Sequence, residues 1–247
     1  MSNSEQNIFP DFPETADIET STDEYAERFK GAAGQWMLSV QEKLTFSLLK
    51  GLEGSAILDV GGGHGQLAVP LARAGWPVTV LGSAQSTAHR LAGVRDLPNF
   101  RFEVGNVIAL PYPDKAFDVV ISFRLLTHCE RWQQLIRELT RVARRAVIVD
   151  YPTPQSLNAI APTLFGAKKA FEKNTRHWAL FRHKQVADCF AENGFPNRTC
   201  RKQFFFPMVV HRMLKTRVLS VGLGARARAS ALTSLFGSPV IARFTPQ

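Results

Sequence analysis

Between Asp59 and Gly65 the chain reads DVGGGHG, with four glycines among its last five residues. In front of it stands AILDV, an apolar run of strand length. Behind it stands QLAVPLARAG, a helical pattern closed by Gly75. Glycines at such a junction admit positive φ and let a ligand approach the backbone closely. The helix that follows offers free N–H groups and the positive end of its dipole. A strand, a glycine loop and a helix in this order make the opening unit of a parallel α/β sheet. The alternation then continues: PVTVLG and QSTAHRLAG, FRFEVG, AFDVVISF and RWQQLIRELTRVA, then RAVIVDY. After RHKQVADCFAENGF, a helix ended by Gly194, the stretches TCRKQFFFPMVVHRML and SPVIARFT read as two late strands that pair antiparallel. The pattern predicts an α/β fold: a doubly wound, mostly parallel seven-stranded sheet with helices on both faces.

The rest of the chain is arranged around that core. Residues 1–21 are polar, acidic and proline-containing, Asp17 among them, and read as a disordered, mobile tail. Residues 22–53 read as a helical cap. Ser21 and Glu24 have capping-box spacing, and Tyr25, Phe29, Trp36, Val40, Leu44 and Leu48 share one face. Gly31 and Gly34 divide the pattern into two helices. The core runs over 54–213, with an insertion at 152–182 marked by Pro152, Pro154 and Pro162. Residues 214–236 form a basic amphipathic helical stretch, and 237–247 the last strand and C-terminus.

Which ligand the loop takes is decided by spacing. A dinucleotide fingerprint needs G-x-G-x-x-G, but Gly61, Gly63 and Gly65 give G-x-G-x-G, with Gln66 in the last fingerprint position. Asp59, just ahead of the loop, would repel a pyrophosphate and suits an ammonium group. The loop, together with FEVGNVIALPYPDKAFDVVISFRLLTHCERWQQLIRELTRVARRAVIVDY, resembles the class I S-adenosylmethionine-dependent methyltransferases over about residues 50–151. The resemblance implies a Rossmann-like methyltransferase fold with S-adenosyl-L-methionine as cofactor. It places Asp59 at the methionine amino group and Gly61, Gly62, Gly63 and Gly65 against the cofactor. It places Asn106 and the N–H of Val107 at the adenine, and Phe123 and Arg124 at the methionine end. The departure lies at Gly82 and Ser83, where the family ends its second strand with an acid that holds the ribose. Ser83 offers a weaker, neutral partner, and on this reading Ser83→Asp would tighten cofactor binding.

Methyl transfer from a sulfonium is an in-line displacement with an activated donor, so alignment supplies much of the catalysis. A base is needed only when the acceptor must lose a proton. His128, after the fourth strand, is the candidate base, with a packing role as its alternative. Tyr151, at the end of the fifth strand, is the second catalytic candidate. Tyr25 and Phe29 from the cap, and His177 and Trp178 from the insertion, are the candidate substrate contacts, while His64 reads as a solvent-facing loop side chain. The expected acceptor is a small, partly hydrophobic molecule with an O, C or N nucleophile. No Cys or His spacing suggests a metal.

The formal net charge of +9 gathers in the C-terminal half. It leaves open a peripheral membrane contact through 214–236 and an RNA methyltransferase reading. The phenylalanines of FFF lie in a strand and read as core, which ranks a nucleic-acid partner below a small molecule. A catalytically silent cofactor-binding module is the other alternative. Three scattered cysteines, with neither a signal-peptide pattern at the N-terminus nor a long apolar run, read as a cytoplasmic protein.

Overall fold

Short runs that are apolar on both faces become the inner strands of the sheet. The computed structural model describes residues 12–154, 178–204 and 237–247. Its strands are β1 (Ile57–Val60), β2 (Val78–Gly82), β3 (Phe100–Val104), β4 (Phe117–Ser122), β5 (Ala143–Tyr151), β6 (Asn197–Phe204) and β7 (Ser238–Thr245). They form one seven-stranded sheet in the order β3-β2-β1-β4-β5-β7-β6. The first five are parallel, and β7 runs antiparallel to both β5 and β6. The chain leaves β1 toward β2 and β3, then returns to place β4 on the other side of β1. At that reversal, connecting segments diverge to opposite faces, and a crevice opens at the carboxyl ends of β1 and β4.

Helices cover both faces, as the alternation predicts. Strand alternation sends Leu58 and Val60 to one face and Ile57 to the other. The first face packs on α5 (Trp132–Val142) and α6 (His183–Glu192). On α5 the buried residues Leu135, Ile136, Leu139 and Val142 recur at helical spacing. Phe190 of α6 stacks on Phe244 of β7, with ring centroids 3.8 Å apart. The second face packs on α4 (Ala68–Arg73), which stops at Gly75 as its sequence predicts, where φ is +88°.

The cap divides where the glycines said it would. α2 (Asp23–Glu27) and α3 (Gly31–Leu48) are separated by a turn that enters Gly31 at φ +74°. Gly34 permits a close crossing, since a Cβ there would sit 2.2 Å from the Phe29 carbonyl oxygen. Trp36 of α3 meets Phe204 of β6 at 5.5 Å, and Arg243 of β7 donates to the Leu48 carbonyl at 2.9 Å. The cap is thus fastened to the antiparallel edge of the sheet.

Two expectations at the N-terminus are corrected. Thr22, not Ser21, caps α2, because its hydroxyl accepts the Tyr25 N–H at 3.1 Å. And the segment read as a mobile tail through residue 21 forms α1 (Ala16–Thr20), in which Asp17 is completely buried. Composition could not show this, because the burial depends on partners far along the chain. The stretch 214–236 and most of the 152–182 insertion lie outside the described residues. Among the described residues no helix is long and apolar enough to cross a membrane.

The stacked pair on β7 bears much of the load on its face of the sheet. Phe244→Ala is expected to lower unfolding free energy by about 3–5 kcal/mol. Urea unfolding followed by circular dichroism measures the loss.

Candidate functional site

The crevice at the end of β1 is built around a carboxylate. β1 delivers Asp59 one residue before the loop, fully buried, and neither of its oxygens has a hydrogen-bond partner. Burial alone pushes its pKa up to about 8. The loop folds tightly over it, with Gly61 and Gly65 in the left-handed region at φ +75° and +71°. A Cβ on Gly62 would fall 2.2 Å from the Asp59 carboxyl group, and one on Gly63 would fall 2.4 Å from the Thr87 carbonyl oxygen. The glycines are therefore required by close approach as well as by torsion. His64 is buried in the loop rather than facing solvent, and its Nδ1 accepts the Gln66 N–H at 3.2 Å. Burial, with Arg124 nearby, lowers its pKa to about 3, so it stays neutral.

The neighbouring strands complete the rim. At the end of β2, a Cβ on Gly82 would lie 2.1 Å from Thr87 Oγ1. Ser83 donates twice to Asp17 of α1, from its N–H to Oδ2 at 2.7 Å and from its hydroxyl to Oδ1 at 2.5 Å. Burial raises the Asp17 pKa, and the two bonds from Ser83 oppose that rise. After β3, the Asn106 side-chain oxygen accepts the Ile108 N–H at 3.1 Å, and Val107 is buried beneath it. After β4, Phe123 is buried and Arg124 adopts φ +62°. The Arg124 N–H donates to Asp150 at 2.6 Å, and Asp150 is itself raised to about 6 by burial. The Arg124 guanidinium lies over the Phe29 ring at 4.1 Å and the Tyr25 ring at 5.5 Å, and reaches Gln41 at 3.3 Å. The cap thus closes onto this corner through Tyr25 and Phe29.

The candidate acceptor side is divided. His128 ends a short 3-10 turn, Leu126–His128, and is half-buried. That turn is tied to the segment after β5, since Thr127 Oγ1 donates to the Ala179 carbonyl at 2.7 Å and the Ala179 N–H returns to the Thr127 carbonyl at 2.9 Å. Trp178 is next to that joint and is 58% exposed. Tyr151 is elsewhere. It is completely buried against Phe181, with its hydroxyl 3.2 Å from His183 Nδ1 and its pKa raised by burial. Its phenol packs within the core. His177 lies outside the described residues. The sequence reading also missed Asp17, Gln41 and Asp150. Asp150 was within reach, as an acid at the end of an apolar strand, whereas Asp17 carried no local signal. Among the described residues no group of three or more His, Cys, Asp or Glu side chains is placed to hold a metal ion.

A profile of the methyltransferase domain family matches residues 58–149, the stretch that holds the loop and the β1–β5 unit. Over that stretch the chain is similar to the methyltransferase domain family. It is 33% identical over 119 residues to demethylmenaquinone methyltransferase of Deinococcus radiodurans, covering 45% of this chain and 46% of that protein. It is 28% identical over 169 residues to a ubiquinone biosynthesis O-methyltransferase of Paramagnetospirillum magneticum, covering 66% of this chain and 68% of that one. The chain therefore spans about half the length of the first relative and two thirds of the second. Among solved structures, magnesium protoporphyrin IX methyltransferase from Synechocystis, with bound S-adenosylhomocysteine, superposes with a TM-score of 0.59 at 16% identity. That match covers 92% of this chain and 97% of the other, and at such identity it speaks for the fold alone.

The methyl donor of that family is S-adenosylmethionine, and the residues of this chain suit it. An unpartnered buried carboxylate under a glycine cradle is matched by a ligand that brings an ammonium group. Without that cation, Asp59 is expected to make stability fall as pH rises. Its folded pKa of about 8 lies above the unfolded value of 3.8, so between the two the folded state binds the extra proton. Asp59→Asn should therefore be more stable than the parent at about pH 7.5 by roughly 1 kcal/mol or more, with little difference near pH 4. Urea unfolding of the cofactor-free protein across that range checks both the sign and the window.

Proposed function

We propose that this chain transfers the methyl group of S-adenosylmethionine to an O, C or N nucleophile of a small, partly hydrophobic molecule. The observation that carries the reading is Asp59, a buried carboxylate with no partner, set beneath glycines that leave room only for backbone. When bound, the cofactor supplies a methyl group already activated by its sulfonium, open to in-line attack. Asp59 holds the ammonium of the methionine moiety, and its own carboxylate returns to the ionised form as it does so. Gly61, Gly62, Gly63 and Gly65 admit the cofactor to the backbone. Asn106 and the Val107 N–H flank the adenine, and Phe123 and Arg124 border the methionine end. His128 takes the proton of the acceptor nucleophile. Its turn and the segment carrying Trp178 are hydrogen-bonded together, so they form one wall of the acceptor space.

The names of the two sequence relatives, demethylmenaquinone methyltransferase and ubiquinone biosynthesis O-methyltransferase, support an acceptor of this size and polarity. Calorimetry with S-adenosylhomocysteine tests the cofactor half. The parent should bind, and Asp59→Ala should weaken binding by about tenfold or more. No binding at millimolar ligand would overturn the proposal. A methyl-transfer screen over small phenolic and quinol acceptors tests the other half. His128→Ala should lower kcat by about a hundredfold or more while S-adenosylhomocysteine affinity stays unchanged. A variant with full kcat on a hydroxyl acceptor would remove His128 as the base.

A further inference from the structure

The segment ahead of the cap carries a carboxylate to the place where β2 lacks one. β2 ends in Gly82, where a side chain has no room, since a Cβ would sit 2.1 Å from Thr87 Oγ1. The next residue, Ser83, spends both its N–H and its hydroxyl on Asp17 of α1. Asp17 reaches this point from 66 residues away in sequence and is completely buried there. It also lies against the glycine loop, with its Cβ 3.5 Å from the position a Cβ on Gly61 would take.

We propose that Asp17 is the ribose-binding residue of the cofactor site, accepting the ribose hydroxyls of S-adenosylmethionine from α1 in place of an acid at the end of β2. The proposal rests on the donor assigned above. A carboxylate has about four acceptor positions. Ser83 fills one on each oxygen, and the backbone N–H groups of Asp17 and Ile18 also favour its charged form, so the ribose hydroxyls would share the acceptor capacity that is left. A second polar atom points the same way. The Ser21 hydroxyl, at the end of α1, is buried without a partner and lies 2.6 Å from where a Cβ on Gly63 would be.

The approach is fixed along its length. Glu14 accepts the Arg131 N–H at 2.9 Å beyond β4, Asp17 meets Ser83 beyond β2, and Asp23 meets Arg90 at 2.5 Å. The segment therefore crosses the carboxyl edge of the sheet over the glycine loop. This revises what Ser83 does: it orients Asp17. Ser83→Asp would set two carboxylates against each other and weaken cofactor binding, the reverse of the expectation from sequence.

The test is calorimetry on the full chain with S-adenosylhomocysteine and its 2′-deoxy analogue. For the wild-type protein, loss of the 2′-hydroxyl should weaken binding by about tenfold or more. Asp17→Asn should weaken S-adenosylhomocysteine by a similar factor and narrow the gap between the two ligands, because the amide keeps only one acceptor oxygen and loses the charge. Equal affinity of the wild-type protein for both ligands overturns the proposal, however the variant folds. So does an Asp17→Asn protein that binds as well as the wild type, or one that binds more tightly, which would mark α1 as a cover over the site. Failure of the wild-type protein to bind S-adenosylhomocysteine at all overturns the assigned donor and this role with it. Binding by the wild type with no effect of Asp17→Asn removes only Asp17.

Discussion

Ionising a buried carboxyl group that has no cation beside it costs a protein several kcal/mol, and Asp59, at the centre of the sheet, holds its proton up to a pKa of about 8 for that reason. The surrounding architecture explains why it sits there. Reversal of the strand order beside β1 opens the sheet at this one edge. Tight glycine packing then seals the carboxylate from water, with no side chain intervening. The apolar layers on both faces supply the stability that offsets the burial of this group. A cationic ligand lets it ionise and gains the interaction in the same event, so the buried carboxyl group discriminates in favour of a positively charged guest.

The corner around Arg124 has a similar logic. A non-glycine residue at φ +62° is held by a bond from its own N–H to Asp150 and by two aromatic rings from the cap beneath its guanidinium. The cap is fastened in turn at the opposite edge of the sheet, through Trp36 on Phe204 and Arg243 on the Leu48 carbonyl. Position is thus transmitted from the antiparallel strands, through α3, to the corner that follows β4.

The parallel core was legible in the sequence because period and punctuation agreed: apolar strand runs, helical stripes such as Leu135, Ile136 and Leu139, and glycines at Gly75 and Gly194 where helices stop. The loop residues around Asp59 were legible for the same reason, since their spacing is a local property. Other features depended on pairings that no window of sequence contains. Tyr151 looked available as a strand-end phenol, yet its partner His183 is 32 residues on and covers it. His64 looked exposed as a loop side chain, yet the loop folds inward around it. Asp17 looked like one more charge in an acidic tail. Only the fold brings it under Ser83, and the missing acid at the end of β2 was the one trace of it that the sequence left.

The N-terminal strap has a kinetic consequence. It crosses the mouth of the crevice on one buried contact, Asp17 to Ser83, one part-buried contact, Glu14 to Arg131, and one exposed ion pair, Asp23 to Arg90. The exposed pair adds little, so the hold of the strap is set chiefly by Asp17 on Ser83. Local opening of such a short segment needs far less free energy than global unfolding. With α1 holding the ribose as proposed, release of a bound nucleotide ligand is paced by the opening of this segment as well as by the grip of the glycine loop.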